Sequence, residues 1–162
     1  MIDLVRAALP VVVLVGVVGC GLMAGLFFAF SAAVMPGLRR MPPSVAAAAM
    51  QSMNRAILNP VFGLLLGGTT LACVGVVVGA LLVDHGGAPW LVAGAAAYLL
   101  GGFGLTAVVN VPLNDQLDAV DPASAAGARI WADFRPRWTG SNHIRTVAST
   151  VATAALAMGG WT

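Results

Sequence analysis

Four apolar runs, each close to the roughly 20 residues that a helix needs to cross a bilayer core, limit what this chain can become. They cover about Ala7 to Met35, Asn59 to Val83, Pro89 to Val109 and Ile144 to Trp161. With 59% hydrophobic and 9% charged residues in 162, that much apolar surface cannot be hidden in a soluble core. The expected fold is all-α: one transmembrane domain over residues 1–162, an integral membrane four-helix bundle in up-down-up-down order. VVGC at Val17 to Cys20 has the pattern of a lipoprotein cleavage box, but the apolar run continues well past Cys20, which favours a span. Cys20 and Cys73 both sit inside apolar runs and read as small packing residues.

The connections alternate long, short, long: Pro36 to Leu58, DHGGAP at Asp84 to Pro89, and Asn110 to His143. In the first, the good helix formers after Pro43 predict that the second span extends outward as one helix from about Ser44. In the third, DPASAAGARIWADFRPRW predicts a short amphipathic helix between helices 3 and 4, capped by Asp121 and stopped by Pro136. GLMAG, GLLLG and GVVVG place small residues four apart, expected to pack within the bundle, while leaving room for a homo-oligomer.

Every basic side chain is arginine and every acid is aspartate, and a net charge of +2 makes no basic stripe for nucleic acid. Six of the arginines lie in the two long connections. The positive-inside rule then predicts a bacterial-type inner-membrane protein with both long loops cytoplasmic and both termini outward, Arg6 being the contrary vote. Trp90 and Trp161 would mark the outer interface, Trp131 and Trp138 the inner one.

In that topology the polar residues converge on one membrane face. Helix 2 brings Asn54, Arg55 and Asn59, the last two four apart and so on one face. Helix 3 ends in NVPLND, with Asn110 and Asn114 flanking a Pro112 expected to interrupt it. Helix 4 opens with Asn142, His143, Arg145 and Thr146, and its polar stripe continues through Ser149, Thr150 and Thr153, expected to face inward. Helix 1 supplies the aromatic wall Phe27, Phe28 and Phe30. Such a floor and wall suit a flat, partly polar organic ligand. Arg39, Arg40, Arg135 and Arg137 read as interfacial anchors. His85 and His143 fall at opposite faces and the chain has no glutamate, so the ligand count for a metal is not met. No glycine-rich phosphate loop is present either.

The segments GLFFAFSAAVMPGLRRMPP, AMQSMNRAILNPVF, NVPLND and RWTGSNHIRT, in this order, resemble the anthrone oxygenase family of small four-helix membrane proteins. The resemblance implies an oxygenase that converts an aromatic polyketide-type anthrone to an anthraquinone with O2, without metal or flavin. An anthrone has an acidic carbon between two aromatic rings, and its enolate is electron-rich enough to reduce oxygen directly. On this reading His143 is the base. Arg145 or Arg55, with Asn110, Asn114 or Asn59, would donate to the oxyanion. Phe27, Phe28 and Trp138 would sandwich the rings, with Asn54, Asn142 and Thr146 completing the pocket. Membrane lipid would concentrate the hydrophobic substrate. The competing expectation is a non-catalytic protein that binds a lipid or small hydrophobic molecule, or serves as an accessory subunit. A transporter fits less well, since the four spans show no internal inverted repeat.

Overall fold

The computed structural model describes residues 1–161, and every regular element among them is helical. Five rods follow in order: α1 (Ile2–Leu38), α2 (Pro43–Ile57), α3 (Pro60–Leu82), α4 (Ala88–Asp118) and α5 (Ala125–Trp161). Of these, α1, α3 and α4 are long and apolar enough to cross a membrane. The fourth long rod, α5, carries Arg129, Asp133, Arg135, Arg137 and Arg145 along its first two thirds. α1 packs along α5 and α3, and α4 lies against both α5 and α3.

Two separate apolar cores result. The larger joins Leu9, Met23 and Phe27 of α1 with Val76, Tyr98 and Leu156 of the other long rods. The smaller joins Met35 and Leu38 to Met50 of α2, Leu113 and Leu117 of α4, and Trp131, Phe134 and Trp138 of α5. With 37 residues each, α1 and α5 reach roughly 55 Å, well beyond a hydrocarbon layer of about 30 Å. Their surplus length, together with α2, builds the smaller core.

Prolines do not end these rods where the sequence suggests. Pro112 was expected to interrupt the third span, yet α4 runs on to Asp118. A π-helical stretch, Thr106–Asn110, stands directly before the α-helical turn in which Pro112 sits, as Phe30–Val34 stands before Pro36 in α1. A π turn shifts the hydrogen-bond ladder away from i to i−4, so the missing N–H and the ring of a following proline disrupt less. Pro136 likewise lies inside α5, so the separate amphipathic helix expected between the third and fourth spans is instead the first part of one continuous rod. An interior proline costs about 3 kcal/mol. Burying three large aromatic side chains at roughly 2 kcal/mol each outweighs it: Trp131 stacks on Phe134 at 5.6 Å and Phe134 on Trp138 at 6.1 Å, across the proline. The rod starts with Ser124, whose Oγ accepts from the Gly127 N–H at 3.0 Å, while Asp121 turns the loop by accepting from Ala123 N–H at 2.9 Å. The cap is thus Ser124 and not Asp121.

The second span does not extend as one helix from Ser44. The chain breaks at Leu58 and Asn59, because Asn59 caps α3 through Phe62 N–H (3.0 Å) and Pro60 opens it. Gly75 and Gly79 of GVVVG face Val12 and Leu9 of α1, and a Cβ on Gly79 would come within 2.7 Å of Leu9 Cδ1. Gly63 and Gly67 of GLLLG meet nothing within 4 Å, so that repeat does not pack inside the chain as expected. Trp90 and Trp161 are exposed, but Trp131 and Trp138 are buried in the smaller core and are not interfacial markers.

Candidate functional site

At the junction of the two cores lies a cavity of about 170 Å³, open along one side. Phe27 from the larger core and Trp138 from the smaller one form part of its wall. Phe30 extends the aromatic surface, with its ring 5.5 Å from that of Trp138. An apolar cavity of ~150 Å³ holds a benzene. The cavity is thus large enough for one aromatic ring, and Leu58 and Val111, which also line it, are exposed.

Arg145 is the central polar group. It is 5% exposed and has no carboxylate within ion-pair distance among the described residues. Its guanidinium carbon stands 3.7 Å from the centroid of the Phe27 ring. Nη1 donates to Asn142 Oδ1 over a long 3.4 Å, and Nε is buried without a partner. Asn54 also lines the cavity, and its Nδ2 is buried and unpartnered. A cation is costly to bury and is ordinarily paired, so a buried arginine lining an apolar cavity with no carboxylate beside it points to a ligand that brings acceptor oxygens.

The surroundings hold this arginine in place. Asn142, 0% exposed, donates to the Phe27 carbonyl and to Ser31 Oγ, both at 2.8 Å, which fixes α5 to the π-helical part of α1. Asn110 is positioned by the π stretch of α4. In the amide orientation that partners both its ends, it donates to Ser141 Oγ at 2.8 Å and accepts from Arg145 Nη1 at 3.3 Å. Trp138 Nε1 donates to Asn114 Oδ1 at 2.9 Å. Across the mouth, Arg55 pairs with Asp118 at 2.6 Å. Asp115 lines the same cavity near its open side.

The structure thus gathers Phe27, Asn54, Arg55, Asn110, Asn114, Trp138, Asn142 and Arg145 around one space. Four expected residues fall elsewhere. Phe28 is 61% exposed, since a residue next to an inward Phe27 on a helix points away. Asn59 is spent as a helix cap and no longer shares a face with Arg55, because the helix breaks between them. Thr146 Oγ1 turns back to the Asn142 carbonyl at 2.9 Å. His143 is exposed and faces a different cleft, so its expected role as the base is not supported by its position. In the polar stripe, Ser149 is buried as expected but Thr150 is exposed.

Sequence reasoning missed Asp115 and Asp118, although both stand on the cavity-facing side of α4 at helical spacing from Val111. It also missed Gln51, whose buried Nε2 donates to the carbonyls of Leu117 (2.8 Å) and Val120 (2.9 Å) and ties α2 to the end of α4. A glutamine on the alanine face of AAAAMQ was the available signal.

Compared with known families, residues 50–155 match anthrone oxygenase, well over half of the chain. The chain belongs to the anthrone oxygenase family. The anthrone oxygenase match takes in Asn54, Asn110, Asp115, Trp138, Asn142 and Arg145, but leaves the Phe27 and Phe30 wall of α1 outside it. No curated protein and no solved structure matches the chain. Among the described residues no three His, Cys, Asp or Glu side chains gather as a metal site.

Proposed function

We propose that this protein is a membrane-embedded oxygenase that oxidises an anthrone-like, enolisable polycyclic aromatic with O2, drawing the electrons from the substrate enolate and using no cofactor. The observation that carries this reading is Arg145: a buried, unpaired guanidinium set against an aromatic wall in an apolar cavity. Oxidation through an enolate develops negative charge on an oxygen attached to a flat ring system. Arg145 and the idle Asn54 amide supply donors, and the Phe27 and Trp138 rings supply a surface for the flat system.

The proton leaves the carbon between the rings to Asp115, the cavity carboxylate that Arg55 does not hold. The enolate gives one electron to O2, and recombination of the radical pair forms a carbon–oxygen bond and a peroxide. Loss of the second hydrogen from that carbon with cleavage of the O–O bond yields the ketone and water. One oxygen atom of O2 enters the quinone and the other leaves as water.

In the bilayer, α5 forms the fourth span of an up-down-up-down bundle comprising one domain. The smaller core and the arginine-rich ends face the cytoplasm and both termini face outward, in keeping with the placement of Arg39, Arg40, Arg135 and Arg137. A cysteine placed at Gly86 would be labelled from the outside; labelling from the cytoplasmic side alone would reverse the orientation. For the reaction, the purified protein is given an anthrone under ¹⁸O2. The expected product is a quinone with one ¹⁸O atom, formed faster than without protein. Tight binding with no turnover above background would leave a ligand-binding protein and remove the oxygenase.

A further inference from the structure

A second cleft, of about 350 Å³, lies between α1 and α5 away from the candidate oxygenase site. Its walls are two facing stripes with i, i+4, i+8 spacing: Ser31 and Met35 on α1 with Arg39 just past its end, and His143, Thr139 and Arg135 on α5. Ser31 and His143 meet at one end, with Ser31 Oγ 2.9 Å from His143 Nδ1. Arg39 and Arg135 belong to the other end, where no acidic residue lines the cleft and neither has an ion-pair partner among the described residues.

The hydrogen bonds at the closed end orient the imidazole. Ser31 Oγ accepts from Asn142 Nδ2 at 2.8 Å and lies 2.9 Å from His143 Nδ1 and 3.4 Å from Thr146 Oγ1, which ties the imidazole to both helices. The Nε2 edge of the ring is directed away from Ser31. Two guanidinium groups, the Thr139 hydroxyl and the His143 imidazole, with no acid, form a recognition set for a tetrahedral oxyanion. Beyond the closed end the outer faces of the two helices are apolar and exposed at Phe28, Ile144 and Val147. This surface can take an acyl chain.

We propose that this cleft binds a phosphate group, as the headgroup phosphodiester of an anionic phospholipid or as free phosphate, between Arg39 and Arg135. The test uses full-length protein in neutral detergent and follows the thermal unfolding midpoint against added phosphatidylglycerol, phosphatidylcholine or inorganic phosphate. Phosphatidylglycerol is expected to raise the midpoint more than phosphatidylcholine does. From the attraction of one basic side chain to an anionic lipid surface, about fivefold each, the Arg39→Gln/Arg135→Gln pair should need roughly 25-fold more lipid for half the effect. Arg40→Gln/Arg137→Gln, which removes the same charge outside the cleft, should respond as the parent does. A rise with inorganic phosphate alone, lost in the first pair, supports the site and assigns it to the soluble anion. No preference for phosphatidylglycerol and no response to phosphate in the parent protein overturns the proposal, as does equal weakening in both pairs.

Discussion

Replacing Arg145 with methionine should separate a functional cation from a structural one, because the two readings give opposite outcomes for stability and activity. Against the substitution stand a cation–π contact at 3.7 Å, worth about 1–2 kcal/mol when desolvated, and two long bonds, to Asn142 at 3.4 Å and Asn110 at 3.3 Å, each worth under about 1 kcal/mol. In its favour stand relief of the unpartnered Nε–H, about 1–3 kcal/mol, and removal of a charge buried without an anion. The terms nearly cancel, so Arg145→Met should fold with a stability within about 2 kcal/mol of the parent protein. A buried ion pair broken from one side would instead cost roughly 3–5 kcal/mol. Turnover should fall by about 10²–10³, the loss usual for one oxyanion donor. Oxygen consumption with an anthrone gives the rate, and thermal unfolding followed by tryptophan fluorescence gives the stability. Parent-like turnover would refute the reasoning, and so would a collapse of both quantities together, which would make Arg145 a structural group.

The remaining tests address the base, the packing and the mouth. Asp115→Asn should lower kcat by about 10²–10⁴, while His143→Ala, outside the cavity, should stay within about twofold of the parent in the same oxygen assay. Gly19→Ala drives a Cβ into the Thr69 side chain and should destabilise by about 1–3 kcal/mol. Gly67→Ala meets open space and should be neutral or stabilising by up to about 1 kcal/mol, both read from thermal midpoints. The Arg55 and Asp118 side chains are 64% and 41% exposed, so Arg55→Gln should cost under about 1 kcal/mol; a larger loss would mean that the pair holds α2 in place.

The helical membrane class was legible because a run such as Pro60–Leu82 has only one solution in lipid, where every backbone polar group must be satisfied within its own segment. The gathering of Asn110, Asn142 and Arg145 was legible for a related reason: polar side chains in an apolar chain turn to one another. Helix ends were not, because proline signals are local while the answer was tertiary. Pro136 reads as a stop until Trp131 and Trp138 are seen on one buried face across it. His143 was misplaced by treating neighbouring residues as one group. Asn142 and His143 are adjacent in sequence but about 100° apart around a helix, so the same rotation that buries Asn142 presents His143 to another cleft.

The position of the cavity, at the junction of the larger core and the smaller one, resolves a conflict in the proposed chemistry. A base that takes a proton from carbon must afterwards release it to water, while a donor to a developing oxyanion is most effective where water is excluded. A cavity buried wholly in the larger core would trap the proton, and one placed wholly at the surface would screen Arg145. Here the two requirements are separated along one rod and its neighbour: Asp115 is exposed near the mouth, whereas Arg145 is buried beside Phe27. The π stretches serve the same end. They stand just before Pro36 and Pro112 and carry two of the polar groups where the two cores meet: Ser31, which accepts from Asn142, and Asn110.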